Sequence, residues 1–292
     1  MANLKAIRRR ISSVQNTQKI TRAMKMVAAA KLRRAQDAVT SFRAYADLTQ
    51  SILGEVSKGI GETTHPLLEQ RPAERTLVVV LTSDCGLCGP FNSNLLRNVF
   101  KHVNEAEKKP ALDLIGKRAK DFFAHRDVTV RKFHQNIYDD MSYDTAKHLA
   151  AELAGLYAIG EVDRIELAYN EFISVMKQAP VFRPLLPIVL SSTDEADTEE
   201  DKSVGPRGFL FEPDRESLLA DLLPKYVEVQ IYRALVESVA AEHASRMTAM
   251  EAATTAAGDM IDSLTLQYNR ARQDAITKEL IEIVGGAEAL SD

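Results

Sequence analysis

The only two cysteines in 292 residues, Cys85 and Cys88, are separated by two residues within the segment SDCGLCGPFN, residues 83–92. A Cys-x-x-Cys pair can act as a redox dithiol or as half of a four-ligand zinc site. The segment precedes a predicted helix that Asn92 or Ser93 would cap, and a helix N-terminus can lower a thiol pKa. However, the second ligand pair of a zinc site is missing. We interpret the segment as a turn in which Gly86 and Gly89 adopt unusual backbone angles.

No other pattern of reactive side chains predicts a catalytic, metal-binding or cofactor-binding site. The chain has neither G-x-x-x-x-G-K-[ST] nor G-x-G-x-x-G, the glycine patterns that hold nucleotide phosphates. Its six histidines are scattered, without the H-E-x-x-H spacing of a zinc enzyme. We therefore expect no active site, metal or cofactor, although a dithiol oxidoreductase using Cys85 and Cys88 stays open as an alternative.

The placement of proline divides the chain into a long helix, a compact middle and a second long helix. All ten prolines lie between Pro66 and Pro224, and a proline in a helix interior costs roughly 3 kcal/mol. At a rise of 1.5 Å per residue, the two end helices would span on the order of 80 to 100 Å. Helices of that length exceed what one globular domain needs.

Apolar residues at both ends recur in alternating steps of three and four, which is the spacing of a coiled-coil seam. Four of the sixteen seam positions in the first segment are polar, among them Lys25. The seam comprises Leu4, Ile7, Ile11, Val14, Gln18, Thr21, Lys25, Ala28, Leu32, Ala35, Val39, Phe42, Ala46, Thr49, Leu53 and Val56, and then Val236, Ala240, His243, Met247, Met250, Thr254, Ala257, Ile261, Leu264, Tyr268, Ala271 and Ala275.

Charge favours pairing of the two ends with each other. Residues 1–58 carry 12 Lys/Arg against 3 Asp/Glu, whereas residues 225–292 carry 6 against 11. Opposite charges favour an antiparallel pair within the chain over a homodimeric coiled coil, which the pattern alone leaves open. The ten basic residues before Asp37 also leave open a basic coiled-coil protein that binds nucleic acid.

After Ala275 the apolar register shifts by one residue. Such a shift turns the apolar face toward a different neighbour, so we expect the end of the last helix to contact something other than the first helix. This apolar tip comprises Ile276, Leu280, Ile283, Ala287 and Leu290.

The middle of the chain alternates strands and helices, which predicts a Rossmann-like α/β domain with a mostly parallel sheet. The predicted strands are TLVVVLTSD, ALDLIG, VTVRKF and RIELAYNEFI, and the predicted helices are 93–107, 117–125 and 143–159. RPLLPIVL contains two prolines and is assigned to a sheet edge. The fold class is thus α+α/β, with domains at 1–60 (coiled-coil helix), 75–192 (α/β), 193–208 (acidic mobile loop) and 209–292 (coiled-coil helix).

Both ends and the turn resemble the gamma subunit of F-type ATP synthases, the central rotor shaft, along essentially the whole chain. IRRRISSVQNTQKITRAMKMVAAAKLRRAQ and YNRARQDAITKELIEIVGGAEAL are similar to the two signature regions of that family. SDCGLCGPFN is similar to its SD-x-GLCG-x-FN turn, in which only the second cysteine is usual. Cys85 stands where arginine is common, so the resemblance implies that the cysteine pair is accidental.

The resemblance implies a non-catalytic subunit that couples proton-driven rotation to ATP synthesis or hydrolysis on beta subunits. Its implied partners are three alpha and three beta subunits, the epsilon subunit and the membrane c-ring, with no nucleic acid. No apolar run approaches the roughly 18 residues that cross a bilayer, so direct membrane insertion is not expected. Because the first signature begins close to Met1, we expect a peripheral protein at the cytoplasmic face of a bacterial inner membrane.

Carried over residue by residue, the resemblance also assigns contacts. Contacts with the alpha/beta ring are expected at Met24, Lys25, Arg272, Gln273, Thr277 and Glu279. FLFEPD, with Phe209 and Glu212, resembles the region that contacts the rotor ring and the epsilon subunit.

Overall fold

The computed structural model describes residues 2–57, 65–135, 137–138, 141–189 and 214–288. These residues form the helices α1 (Ala2–Ser57), α2 (Phe91–Glu105), α3 (Lys117–Phe123), α4 (Tyr143–Ala158) and α5 (Arg215–Glu288), and the strands β1 (Thr76–Leu81), β2 (Ala111–Ile115), β3 (Val130–His134), β4 (Arg164–Phe172) and β5 (Gln178–Leu186). The chain divides into two compact units. The first holds Met1–Ala30 and Arg246–Asp292, and the second holds Lys31–Ser245.

The second unit contains a five-stranded sheet in the order β3-β2-β1-β4-β5. The pairs β1–β2, β1–β4 and β2–β3 are parallel, whereas β4 and β5 form an antiparallel hairpin. The apolar run of β1 is buried on both faces, as expected for a central parallel strand covered by helices. This arrangement confirms the predicted α/β domain and its mostly parallel sheet.

Alternate residues of β1 enter two separate cores because side chains along a strand point to opposite faces. Val78 and Val80 pack with α2 and α3 on one face. Leu77 and Val79 face the other core, which contains residues of α4, the end of α1 and the start of α5. The end of α1 and the start of α5 are therefore part of the core of the second unit.

Strand β5 lies at the edge of the sheet and contains Pro180 and Pro184. An edge position tolerates proline because one side of the strand needs no ladder hydrogen bonds. The edge position predicted for RPLLPIVL is confirmed for residues 183–186, whereas its second proline, Pro187, follows the strand.

The coiled-coil pattern agrees with the burial of both long helices. All sixteen predicted seam positions of α1 are buried or half-buried, and so are all the predicted seam positions of α5 from Val236 to Ala275. In the first unit the two helices pair through Thr21 and Thr254, and in the second through Arg43 and Glu237. The two-helix pairing within one chain is confirmed.

Helix α5 includes Pro224 and starts ahead of it, at Arg215. Both this start and Pro224 lie within the predicted helical segment 209–292. Pro224 is exposed, so the carbonyl group that it leaves without a helical partner can be hydrated, and tertiary packing of the flanking residues compensates the cost.

Candidate partner-binding surfaces

The Gly-rich turn between β1 and α2 is held by its own side chains. Asn92 Oδ1 accepts a hydrogen bond from the Ser83 amide at 3.0 Å, and Asn92 Nδ2 lies 3.2 Å from Cys88 Sγ. Helix α2 begins at Phe91 after Pro90, without a side-chain cap. The prediction that Asn92 or Ser93 caps this helix is therefore wrong, because Asn92 lies inside the first turn and points back to the preceding loop.

Backbone angles in this turn differ in part from the expectation. Gly89 has a positive φ of 55°, as predicted, but the second such residue is Leu87 with φ 61°, and Gly86 is not one of them. Leu87 is 65% exposed. A leucine in this region is uncommon, and the hydrogen bonds around Ser83 and Asn92 hold the loop in place.

The two thiols occupy different environments, since Cys85 is exposed and Cys88 is buried, and the two do not form a disulfide with each other. The carbonyl of Cys88 accepts a buried hydrogen bond from the Ser245 hydroxyl at 2.7 Å. The turn thus binds helix α5 through its backbone. Nothing in this geometry favours a dithiol oxidoreductase.

At the edge where α/β sheets usually bind ligands, described residues of the second unit bind one another. That edge lies at the carboxyl ends of the strands, where the strand order reverses, which here is after β1. The Thr82 hydroxyl donates to the Ile115 carbonyl at 3.0 Å and accepts from the Ala119 amide at 3.0 Å. A side chain on Gly116, whose φ is 91°, would place its Cβ 2.2 Å from the Thr82 carbonyl oxygen. These contacts bind the end of β1 to α3, and the Ser245 hydroxyl binds the following turn to α5.

In the first unit, polar residues at seam positions pair across the two helices. The hydroxyl oxygens of Thr21 and Thr254 lie 2.8 Å apart, and Gln18 Nε2 donates to the Thr254 carbonyl at 3.4 Å. Lys25 Nζ lies 2.6 Å from Glu251 Oε1. Polar pairs within an apolar seam fix one register, because any slip leaves them without partners.

This register leaves the end of α5 without a partner helix. Thr21 lies opposite Thr254, and α1 begins nineteen residues before Thr21. The first residue of α1 therefore lies opposite about residue 273 of α5. The remaining residues of α5, up to Glu288, extend roughly 20 Å further at 1.5 Å per residue. The predicted shift in apolar register, after Ala275, coincides with the part of α5 that lies opposite the beginning of α1.

Large apolar side chains cover this overhang and are exposed. Ile276, Leu280 and Ile283 are exposed by 50%, 57% and 68%. Ile281 and Val284, which the seam pattern did not include, are exposed by 67% and 61%. Contiguous exposed apolar residues indicate a binding surface. The side chain of Ala287 and the whole of Leu290 lie outside the described residues.

The predicted ring-contact residues fall into two groups. Arg272, Gln273, Thr277 and Glu279 are exposed on α5, next to the apolar overhang. Met24 and Lys25 are half-buried on α1, and Lys25 is engaged by Glu251 within the chain. The structure therefore places four of the six on one accessible segment. Phe209, Glu212 and the acidic loop 193–208 lie outside the described residues.

A buried ionic cluster in the second unit was missed by the sequence reasoning. Glu237 is 1% exposed, and its Oε1 accepts hydrogen bonds from Arg43 Nε at 2.9 Å and Arg233 Nε at 3.2 Å. Arg43 Nη2 also donates to the Phe172 carbonyl at 2.6 Å. The available signal was a lone acid beside the seam position Val236, within the apolar stretch ALVESVAA.

Within the described parts of the chain, no group of three or more His, Cys, Asp or Glu side chains is placed to hold a metal ion. Among the described helices, none combines the length and the apolar character that spanning a bilayer requires.

The fold and these surfaces define a class of protein that acts through contacts with other macromolecules. The described part of its last helix carries exposed apolar residues toward its end, and the turn after β1 is bound to that helix by Ser245. Comparison with known proteins narrows this class. The family model described as ATP synthase matches residues 3–290.

Curated relatives match over nearly the whole chain. The ATP synthase gamma chain of Anaeromyxobacter sp. strain K is 48% identical over 99% of this chain and 100% of its own length. The ATP synthase gamma chain of Heliobacterium modesticaldum is 45% identical with the same coverage. The chain therefore belongs to the ATP synthase gamma chain family, and the resemblance in its two ends is confirmed.

Solved structures have the same fold. The Tetrahymena thermophila mitochondrial ATP synthase central stalk/c-ring structure contains a chain with a TM-score of 0.58 and 26% identity, covering 80% of this chain and 99% of that one. A chain of the Euglena gracilis mitochondrial enzyme in rotational state 3 has a TM-score of 0.69 and covers 99% and 95% of the two chains. At 21% identity, the second similarity concerns the fold alone.

Proposed function

We propose that this chain is the central-stalk rotor subunit of an F-type ATP synthase, coupling proton-driven rotation of a membrane ring to ATP synthesis or hydrolysis on beta subunits. The observation that carries the proposal is the 48% identity to a gamma chain over 99% of this chain. The chain itself is a non-catalytic subunit. Three alpha subunits, three beta subunits, an epsilon subunit and the c-ring are its partners.

The physical role of such a subunit is to give the three chemically identical catalytic sites on the beta subunits different conformations. An asymmetric helical pair inside a threefold ring contacts each beta subunit differently, and rotation passes those contacts from one site to the next. A contact shifts a site only through a difference in its interaction with the open and closed states. Bound ATP is then released by a change of conformation, without a reacting group on this chain.

The exposed end of α5 supplies the contacts for this role. Arg272 and Gln273 donate hydrogen bonds to loops of beta subunits, with Thr277 and Glu279 close by on the same segment. Met24 and Lys25 face the beta subunits from α1, and Phe209 and Glu212 contact the c-ring or the epsilon subunit. These assignments follow the family resemblance, and the exposure of the α5 residues supports the first of them.

The apolar overhang acts as a bearing within the collar of the alpha/beta ring. Ile276, Leu280 and Ile283 would slide against the collar because apolar contacts are non-directional. Ala287 and Leu290 belong to the same apolar tip by sequence pattern. The subunit is peripheral to the membrane, at the cytoplasmic face of a bacterial inner membrane.

Co-purification tests the proposal. The tagged chain, expressed from its own operon, is expected to emerge with three alpha and three beta chains per copy, measured by native mass spectrometry. Its deletion is expected to abolish ATP-driven proton uptake by membrane vesicles. Recovery of the chain as a free monomer or homodimer, with the ATP synthase intact without it, would contradict the proposal.

A further inference from the structure

Among the described residues of the second unit, a hydrogen-bonded cluster connects both long helices to the sheet. Glu237 of α5 accepts hydrogen bonds from Arg43 of α1 and from Arg233 of α5 itself. Arg43 continues to the Phe172 carbonyl at the end of β4, and Arg233 continues to Asp47 of α1 at 3.2 Å. We call these side chains, Arg43, Asp47, Arg233 and Glu237, the helix–sheet joint.

Stability alone does not account for a carboxylate at this position. Glu237 Oε2 is buried and accepts no hydrogen bond from the described residues, so its desolvation is only partly compensated. Buried ion pairs are often no more stabilising than apolar residues of similar volume, whereas they specify one geometry. A directional function explains the joint better than a gain in folding energy.

The surroundings of the joint are apolar and aromatic. Phe42 and Tyr232 lie edge to face with their ring centroids 4.6 Å apart, and the adjoining core packs α1, α4 and α5 against the sheet. Such contacts resist separation of the elements but have little preference for one sliding position. The hydrogen bonds of Arg43 and Glu237 do have such a preference, because their strength falls steeply as the angle changes.

We propose that Arg43 and Glu237 are positioning residues for energy coupling: they lock α1 and α5 to the sheet, so that torque applied to the second unit turns the helices without slip. This inference rests on the proposed rotor function. Both residues act through the rigidity of the helix–sheet joint.

The test uses intact ATP synthase in inverted membrane vesicles, with ATP hydrolysis and ATP-driven proton uptake measured on the same preparation. For Glu237→Gln and Arg43→Lys, proton uptake per ATP hydrolysed is expected to fall about twofold or more. A factor of about two corresponds to the weakest interaction energies found between residues in contact. Lysine keeps the charge, but it cannot bridge Glu237 and the Phe172 carbonyl as the planar guanidinium does. The double variant should lose no more than the more affected single variant.

Asp163→Asn is the matched control. Asp163 is also a buried carboxylate bound by an arginine, Arg75, at 2.7 Å, but this pair lies within the α/β domain and does not involve the long helices. Its loss should lower thermal stability without changing uptake per ATP hydrolysed. A merely structural role for the joint would give all three variants the same result.

An unchanged ratio of uptake to hydrolysis in assembled Arg43→Lys and Glu237→Gln complexes would overturn the inference. If Glu237→Gln prevents assembly, Arg43→Lys alone decides, because it leaves the carboxylate paired with Arg233. Failure of the wild-type chain to co-purify with alpha and beta subunits would instead contradict the proposed function.

Discussion

The hydroxyl oxygens of Thr21 and Thr254 form a hydrogen bond of 2.8 Å across the seam of the first unit. Each hydroxyl also lies near a carbonyl of its own helix, Thr254 at 2.7 Å from Met250 and Thr21 at 3.1 Å from Gln18, so either can be the donor across the seam. This pair sets which residues of α1 and α5 lie opposite each other. It therefore also determines how far α5 extends beyond the first helix.

Replacing one of these threonines should cost more than replacing both. Thr21→Val leaves the Thr254 hydroxyl without its partner across the seam and should lower the free energy of unfolding by about 1 kcal/mol, whereas replacing both by valine should be nearly neutral. Urea unfolding of the purified chain, followed by circular dichroism, measures the difference. Additive costs in the double variant would show that the hydrogen bond is not what matters here.

Lys25 forms an ion pair with Glu251 and is also proposed to contact a beta subunit, and substitution can distinguish these two roles. Its ion pair with Glu251 is solvent-exposed, with side-chain exposures of 37% and 56%, and such pairs contribute at most about 1 kcal/mol. Lys25→Met and Glu251→Gln should therefore have similarly small effects on unfolding. If Lys25 also contacts a beta subunit, only Lys25→Met should reduce ATP turnover by the assembled complex. Equal turnover in both variants would restrict Lys25 to the ion pair.

The apolar overhang should be dispensable for folding and necessary for assembly. Ile276→Asp and Ile283→Asp change exposed positions, so the unfolding of the isolated chain should barely change. In the complex, each loses the burial of a large apolar side chain, worth about 1.5–3 kcal/mol, and should weaken binding to the alpha/beta ring in a pull-down titration. Leu266→Asp, at a position 72% exposed and outside the overhang, is the control and should bind normally.

The hydrogen-bonding assignment of Arg272 and Gln273 predicts a loss of function without a loss of stability. Both side chains are exposed, so Arg272→Ala combined with Gln273→Ala should leave the unfolding midpoint unchanged. ATP hydrolysis by the assembled complex should fall at least about tenfold if two hydrogen bonds to beta loops are lost, at about 1 kcal/mol or more for each. Asn269→Ala with Arg270→Ala changes exposed neighbours and should retain activity. Wild-type turnover in the first pair would show that the contact assignment is wrong.

Asp113 should make the second unit sensitive to acid. Burial raises the pKa of this carboxyl group, but hydrogen bonds from His134 and Arg131 and the charge of Arg131 outweigh burial and hold the pKa below its ordinary value. A depressed folded-state pKa contributes stability above the unfolded-state pKa of about 3.9, and this contribution is lost as the pH falls through the folded-state pKa.

Thermal unfolding at successive pH values tests this linkage. The wild-type chain should lose stability steadily below about pH 4, the ordinary pKa range of aspartate. Asp113→Asn should be less stable at neutral pH, since Arg131 loses one of its two carboxylate partners, and it should show a flatter decline in acid. Parallel declines in the two proteins would assign the acid sensitivity to other groups.

The sequence by itself determined the elements and the pairing of the two ends. Proline placement, the three-four spacing and the opposite charges of the ends predicted both long helices. Apolar runs predicted the strands from β1 to β4, because side-chain periodicity is a local property that the order of residues records directly. The family followed from the signature segments at the two ends and the central turn.

Tertiary structure decided what depends on residues far apart in the chain. The length of the overhang depends on the register between Thr21 and Thr254, which spacing within one helix cannot specify. Asn92 binds back to Ser83 instead of capping α2, because the loop geometry allows the closer contact. The sequence analysis did not single out Glu237, which Arg43 of α1 links to the Phe172 carbonyl of β4. Burial and partners of a charged residue are set by packing across the whole fold, which periodicity does not encode.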